Sequence, residues 1–285
     1  MSRTTGFTTL LAGRGLVESP RWHNDRLFFS DWGTGEVVTV DAAGSSDVVG
    51  RVPVPTMPFC LDRLPDGRLL VVNGQELRVR QADATWTRFA DLSGLAGPYG
   101  YNDVVVDGRG NTYVNNIDFE YGTEFRPGFI ALVTATGEVS RVAEGLAFPN
   151  GMAVTRDNQT LIVAESYGGV LTAYDIATDG SLSGRRVWAD LAGAAPDGIC
   201  LDAEGAVWFA EVPGRRCVRV AEGGEVRQEI PSDLACFSCA LGGAGGTTLY
   251  VTAAGWPEAM TPGSRSGQIL TAEVGVPGAG WPGRG

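Results

Sequence analysis

The chain has no lysine: all 22 of its basic residues are arginine. Schiff-base chemistry and a phosphate-loop lysine are therefore excluded within its 285 residues. Its one histidine, His23, cannot build a zinc centre from several imidazoles. A serine–histidine–aspartate triad would rest on His23 alone, and no Gly-x-Ser-x-Gly elbow accompanies it. Basic residues are outnumbered by acids, and the net charge of −11 leaves no basic face for nucleic acid. A cation or a neutral small molecule suits that balance better. Cysteine is sparse and odd in number, at 60, 200, 217, 236 and 239. Cys236 and Cys239 form one C-x-x-C without a second pair, so small buried thiols in a reducing compartment are expected. No apolar run reaches a membrane span, and Thr4 to Leu11 is too short and polar for a signal-peptide core. A cytoplasmic location with no membrane partner is the expectation.

Long helical stripes and linkers are also missing. What is present is a repeat. Asn102-Asp103-Val104-Val105-Val106-Asp107, Asn150-Gly151-Met152-Ala153-Val154-Thr155 and Asp197-Gly198-Ile199-Cys200-Leu201-Asp202 can be written under one another. Each sets a polar residue before alternating apolar positions, then an Asp-containing turn, then a second strand such as Thr112-Tyr113-Val114 or Val207-Trp208-Phe209. Glu18 opens a related phrase, and two more begin at Phe59 and Ser238 without an obvious ligand. The lead positions 18, 59, 102, 150, 197 and 238 step by 41, 43, 48, 47 and 41 residues, the spacing of propeller blades. Asp66-Gly67 and Asp179-Gly180 supply hairpin turns. The expected fold is all-β: one six-bladed β-propeller over 1–285 with a central metal site. Its blades span roughly 16–50, 57–92, 101–143, 149–190, 196–230 and 236–274, the last closed by an N-terminal strand, and 275–285 forms a loose tail.

Residues at one place in successive repeats point at one axis. Glu18, Asn102, Asn150 and Asp197 then give four oxygens carrying a charge of −2, a hard set suited to Ca²⁺, Mg²⁺ or Mn²⁺ and less naturally to Zn²⁺. Asn and Asp also favour turns and strand entries for their own sake, but four in register favour a common ligand. Four protein oxygens leave open positions on a cation that prefers six or more, as Lewis-acid catalysis requires.

Glu18-Ser19-Pro20-Arg21-Trp22, Tyr101-Asn102-Asp103, Phe148-Pro149-Asn150-Gly151-Met152-Ala153 and Pro196-Asp197-Gly198-Ile199-Cys200-Leu201-Asp202 together resemble the senescence marker protein 30, gluconolactonase and regucalcin family, from about Gly15 to about Ala254. The resemblance implies a six-bladed propeller with one divalent cation, Ca²⁺ foremost, and hydrolysis of small-molecule lactones. It implies Glu18, Asn150 and Asp197 as direct ligands, Asn102 at the metal or one water away, and Asp197 as general base. Substrate contacts are expected from Asn102, Tyr101, Asp118, Glu120 and Tyr121. Gly100 stands where sugar-lactone members carry an arginine, which leaves the ring open; Tyr101, Phe119 and Trp32 would suit a less polar one. Phosphotriesterases of the diisopropylfluorophosphatase type use a similar ligand set, and a non-enzymatic Ca²⁺-binding regulatory propeller is the alternative from another class. Strictosidine-synthase-like propellers lack the set. A monomer or weak dimer is expected.

Overall fold

A computed structural model describes residues 6–52 and 57–280. The first strand, β1 (Thr8–Arg14), belongs to the last sheet. Sheet one follows as β2 (Val17–His23), β3 (Arg26–Asp31), β4 (Glu36–Asp41) and β5 (Ser46–Arg51). Sheet two holds β6 (Phe59–Arg63), β7 (Leu69–Asn73), β8 (Glu76–Arg80) and β9 (Trp86–Asp91). Sheet three holds β10 (Val104–Val106), β11 (Thr112–Asn116), β12 (Gly128–Val133) and β13 (Val139–Leu146). Sheet four holds β14 (Pro149–Val154), β15 (Thr160–Glu165), β16 (Val170–Ile176) and β17 (Leu182–Asp190). Sheet five holds β18 (Pro196–Leu201), β19 (Val207–Glu211), β20 (Arg216–Val220) and β21 (Val226–Pro231). The sixth runs β22 (Ala235–Gly242), β23 (Thr248–Ala254) and β24 (Gly267–Glu273), with β1 as its outermost member.

Within each sheet all neighbouring strands pair antiparallel. The first strand of every sheet touches its counterpart in the next, from β2 through β6, β10, β14, β18 and β22 and back to β2. This is the six-bladed propeller that the repeat predicts. Burial follows from the arrangement. Second strands such as β7, β11 and β19 are buried throughout, whereas outer strands such as β5 and β17 are largely exposed. Apolar side chains interleave between adjacent blades: Cys60, Leu70 and Val72 of blade two pack with Tyr101, Val104 and Phe129 of blade three. The turn after an inner strand is held by its aspartate, as Asp107 and Asp202 each accept backbone N–H groups two and four residues on.

β1 closes the ring by pairing with β24, Thr8 opposite Thr271 and Arg14 opposite Gly267. Glycine is required at 267, where a Cβ would stand 1.7 Å from the Gly15 carbonyl oxygen. The segment from Gly275, expected to be loose, is docked as far as Gly280. Ala203 N–H donates to Pro277 O, Ala279 N–H to Leu201 O, and Gly278 bridges Asp202, so the backbone finds partners on blade five. The rest of that tail, 281–285, lies outside the described residues. No helix among the described residues is long and apolar enough to cross a membrane.

Candidate metal centre at the channel mouth

Inner strands all start at one end of the channel, and the predicted ligands sit at those starts. Asn102 Nδ2 donates to Asn150 Oδ1 at 3.3 Å. Asn150 hydrogen-bonds Asp197, and the Glu18 carboxyl lies near enough to Asp197 to add to the rise of its pKa. The four side chains thus meet.

Local backbone explains how. The β2–β3 register slips between Glu18 and Arg21, the β14–β15 register between Pro149 and Met152, and the β18–β19 register between Pro196 and Ile199. These bulges hold Asn150 and Asp197 and begin at Glu18, where they re-aim the side chains off the regular alternation. Glycine follows two ligands because the strands converge there. A Cβ on Gly151 would lie 2.6 Å from Asp197 O, and one on Gly198 would lie 1.9 Å from Ser238 Oγ.

Second strands supply the supports. Asn115, at the end of β11, donates from Nδ2 to Asn150 O at 2.5 Å, while its Oδ1 accepts from Asp103 N at 3.2 Å. Ser166 Oγ lies 3.3 Å from Asn150 Nδ2 and donates to Pro196 O at 2.7 Å, joining blades four and five. An acid closing the second strand fixes the entry to the inner one. Asp31 accepts from Gly15 N, Glu165 from Ala147 N, and Glu211 from Ala195 N. Arginines hold those acids in place: Arg14 on Asp31, Arg185 on Glu165, Arg216 on Glu211. A planar guanidinium keeps several donors fixed at once, which is the use this lysine-free chain makes of arginine.

Below the four ligands lies a charge cluster. Arg21 Nε is 3.6 Å from Asp62 Oδ1 and its Nη2 is 3.5 Å from Asp103 Oδ1. Asp62 accepts from Val106 N and Asp103 from Met152 N, each tying its inner strand to the next. Burial pushes the Glu18 pKa up to about 8, with Asp103 adding to the rise and the Ser19 N–H and Arg21 opposing it. Asp197 is raised well above the usual carboxylate range by burial, then by Glu18 and Asp103. Three buried carboxyls, Glu18, Asp62 and Asp103, thus share the Arg21 guanidinium, with the half-buried Asp197 beside Glu18. A divalent cation between Glu18 and Asp197 would offset the excess, and the oxygen-only donor set fits a hard ion. No cluster of three or more His, Cys, Asp or Glu suited to a metal occurs among the described residues, so a cation would depend on the two amides as well.

Other expected contacts fare differently. Tyr101 is fully buried among Val104, Val106 and Phe129, and its hydroxyl donates to Leu92 O, so it supports blades two and three and does not reach a substrate. Its place one residue before Asn102 gave no sign of which way the ring turns. Trp32 is half-buried against Leu16 and Phe59 with its Nε1–H given to Phe59 O. Asp118, Glu120 and Tyr121 stand on the loop 117–127 that leaves β11 at the mouth: Glu120 is exposed, and Asp118 N–H donates to Asn116 Oδ1. His23 lines the opposite end of the channel with Asn24 and Arg63. All five cysteines are free thiols, and Cys236 and Cys239 do not pair with each other; Cys236 hydrogen-bonds Cys217, and Cys239 Sγ lies 3.7 Å from Cys200 Sγ. Arg21, Asp62 and Asp103 were not expected at the centre. Their signal was a charged residue inside an otherwise apolar inner-strand phrase.

Residues 16–255 match the model of the SMP-30/gluconolactonase/LRE-like region. The chain is 30% identical over 252 residues to pentonolactonase XacC of Haloferax volcanii, covering 84% of this chain and 82% of that one. It is 26% identical to the 6-deoxy-6-sulfogluconolactonase of Pseudomonas putida, with 94% of each covered. Among solved structures, a calcium-binding regucalcin of Agrobacterium tumefaciens superposes with a TM-score of 0.82 at 21% identity, covering 99% of this chain and 97% of that one. The motifs, the propeller and these likenesses agree, and the chain belongs to the SMP-30/gluconolactonase/LRE-like family.

Proposed function

We propose that this protein is a divalent-cation-dependent lactonase whose cation is held by Glu18, Asn102, Asn150 and Asp197. The observation that carries the reading is the meeting of the buried Glu18 carboxyl, the half-buried Asp197 carboxyl and two amides at one channel mouth, beside an Arg21 already shared by Asp62 and Asp103. Lactonases among the relatives support the substrate class, and a calcium-binding structural neighbour supports the kind of cation. When bound, the cation supplies Lewis acidity, polarising the lactone carbonyl and lowering the pKa of a water.

The chain's own groups do the rest. Asp197 accepts a proton from the attacking water as its oxygen bonds to the carbonyl carbon. The same proton returns to the ring oxygen as the ester C–O bond breaks, leaving an open hydroxy acid. Asn102 donates toward the substrate and holds the ring against Asn150. Glu18 fixes the charge of the site, while Asn115 and Ser166 hold Asn150 from either side.

The test is a hydrolysis panel of γ- and δ-lactones plus one phosphotriester, each run with Ca²⁺, Mg²⁺, Mn²⁺ and Zn²⁺. Ring opening that stops on chelation and in Asp197→Ala is expected. Phosphotriester cleavage alone would replace the substrate class. Tight cation binding with no turnover of anything would make the protein a regulatory binder, and full activity after exhaustive chelation would overturn the mechanism.

A further inference from the structure

Five aromatic rings stand beside the predicted ligands at the mouth. Phe119, Tyr121 and Phe125 come from the loop 117–127 between β11 and β12. Phe148 lies two residues before Asn150, and Tyr167 directly follows Ser166, whose Oγ touches Asn150. Phe148 and Tyr167 lie 4.7 Å apart between centroids, Phe119 reaches Phe148 at 5.7 Å and Phe125 at 5.8 Å, and Tyr121 reaches Phe148 at 6.3 Å.

A cluster serving only to anchor the loop would bury its rings, as Phe119 does at 3% exposure. The other members do not. Tyr121 is 60% exposed, Tyr167 54% and Phe125 45%, three large aromatic faces left in water on one side of the entrance. Contiguous exposed apolar surface of this kind marks a binding surface. The backbone adds a second sign. Phe148 holds φ at +63°, a left-handed conformation that bulky residues rarely adopt. It is kept there by its N–H on Leu146 O at 3.2 Å and by Ser166 N–H on Phe148 O at 3.0 Å. Strain held by the surroundings at a ligand's doorstep is the pattern of a functional constraint.

We propose that this aromatic rim is the substrate-selecting wall, and that it favours lactones carrying an apolar alkyl substituent over polyhydroxylated ones. The inference rests on the proposed lactonase activity and deepens it. The lactone carbonyl sits among the four oxygens, and the substituent leaves the mouth across Phe148, Tyr167 and Tyr121, where it covers exposed ring faces. Apolar walls with a few convergent polar groups are the usual make-up of such sites.

The experiment compares kcat and KM for γ-decanolactone, γ-butyrolactone and D-glucono-δ-lactone in wild type, Tyr167→Ala, Tyr121→Ala and Tyr167→Phe, with unfolding temperature measured for each. Wild type should favour decanolactone in kcat/KM. Tyr167→Ala should raise KM for decanolactone by about tenfold while kcat on it moves less than about twofold, as loss of one aromatic contact predicts. Tyr167→Phe should restore KM. A folded Tyr167→Ala with its preference intact, or one that changes only in unfolding temperature, would make the rim a loop anchor and overturn the inference. So would a wild type that favours the gluconolactone. Wild type opening no lactone with any of the four cations would instead overturn the lactonase reading, and the inference with it.

Discussion

Blades two and five are written almost alike at their inner strands, yet only one supplies a proposed ligand. Cys60-Leu61-Asp62 echoes Cys200-Leu201-Asp202 in sequence, but strand pairing sets the phrases two residues apart, Asp62 inside β6 opposite Leu70 and Asp202 in the turn after β18. Upstream they part. Level with Asp197-Gly198 of blade five, blade two has Phe59-Cys60. In blade five the register slips between Pro196 and Ile199, and Gly198 lets the backbone come against Ser238. In blade two β6 pairs with β7 without a slip, Phe59 opposite Asn73 through Arg63 opposite Leu69. Its Asp62 points to Val106 N and Arg21 instead. The repeat therefore makes the ring, and in blade five a bulge and a glycine set the place of Asp197, whereas Asn102 reaches the same end from a regular strand.

That contrast can be broken from either side. Asp197→Ala should cut kcat/KM on a responsive lactone by about 10³-fold, in the range for loss of a general base; a Met57→Ala control should move it little. Phe59→Ala, in the regular blade, should cost about 3–5 kcal/mol in chemical unfolding while the folded protein keeps its cation affinity by calorimetry. Asn115→Ala removes the donor to Asn150 O, and calorimetry should show cation affinity lower by about ten- to a hundredfold. The counterpart of Asn115 on β7 is Val72, which needs no such donor. Gly198→Ala should cost about 1–3 kcal/mol and weaken the cation, because Ser238 and the bulge must give way together.

The smallest effect is the pH dependence. Between the ordinary glutamate value of 4.5 and about 8, folded cation-free protein keeps a proton on Glu18 that the unfolded chain has lost. Its stability should then fall as pH rises through that window. A cation competes with that proton, so the rise in melting temperature on adding Ca²⁺ should be greater at pH 8 than at pH 6. An equal rise at both would remove Glu18 from the ligand set.

Blade number and the four lead residues were legible because both are periodic, and a period survives without coordinates. The bulges were not, since no residue type marks a slipped register; only the glycines at 151 and 198 hinted that backbones come close. Asp31, Glu165 and Glu211 were visible as acids closing apolar strands, but their hydrogen bonds cross to the next entry segment and depend on the fold. Tyr101 and the rim show the same limit. Neighbours in sequence, Tyr101 and Asn102 face opposite surroundings, and the five rings come from three stretches that only the propeller assembles.

Pairing β1 with β24 joins positions 8 and 271 of the chain, so its first strand must wait for its last. During synthesis, blades one to five can form in order while Thr8–Arg14 stays unpaired, and the free edge of β24 appears only when nearly everything else is made. Until the two meet, an open sheet edge is available to another chain. The order of translation thus leaves β1 exposed until β24 is made, and loss of Thr8–Arg14 should show itself in aggregation before it shows in chemistry.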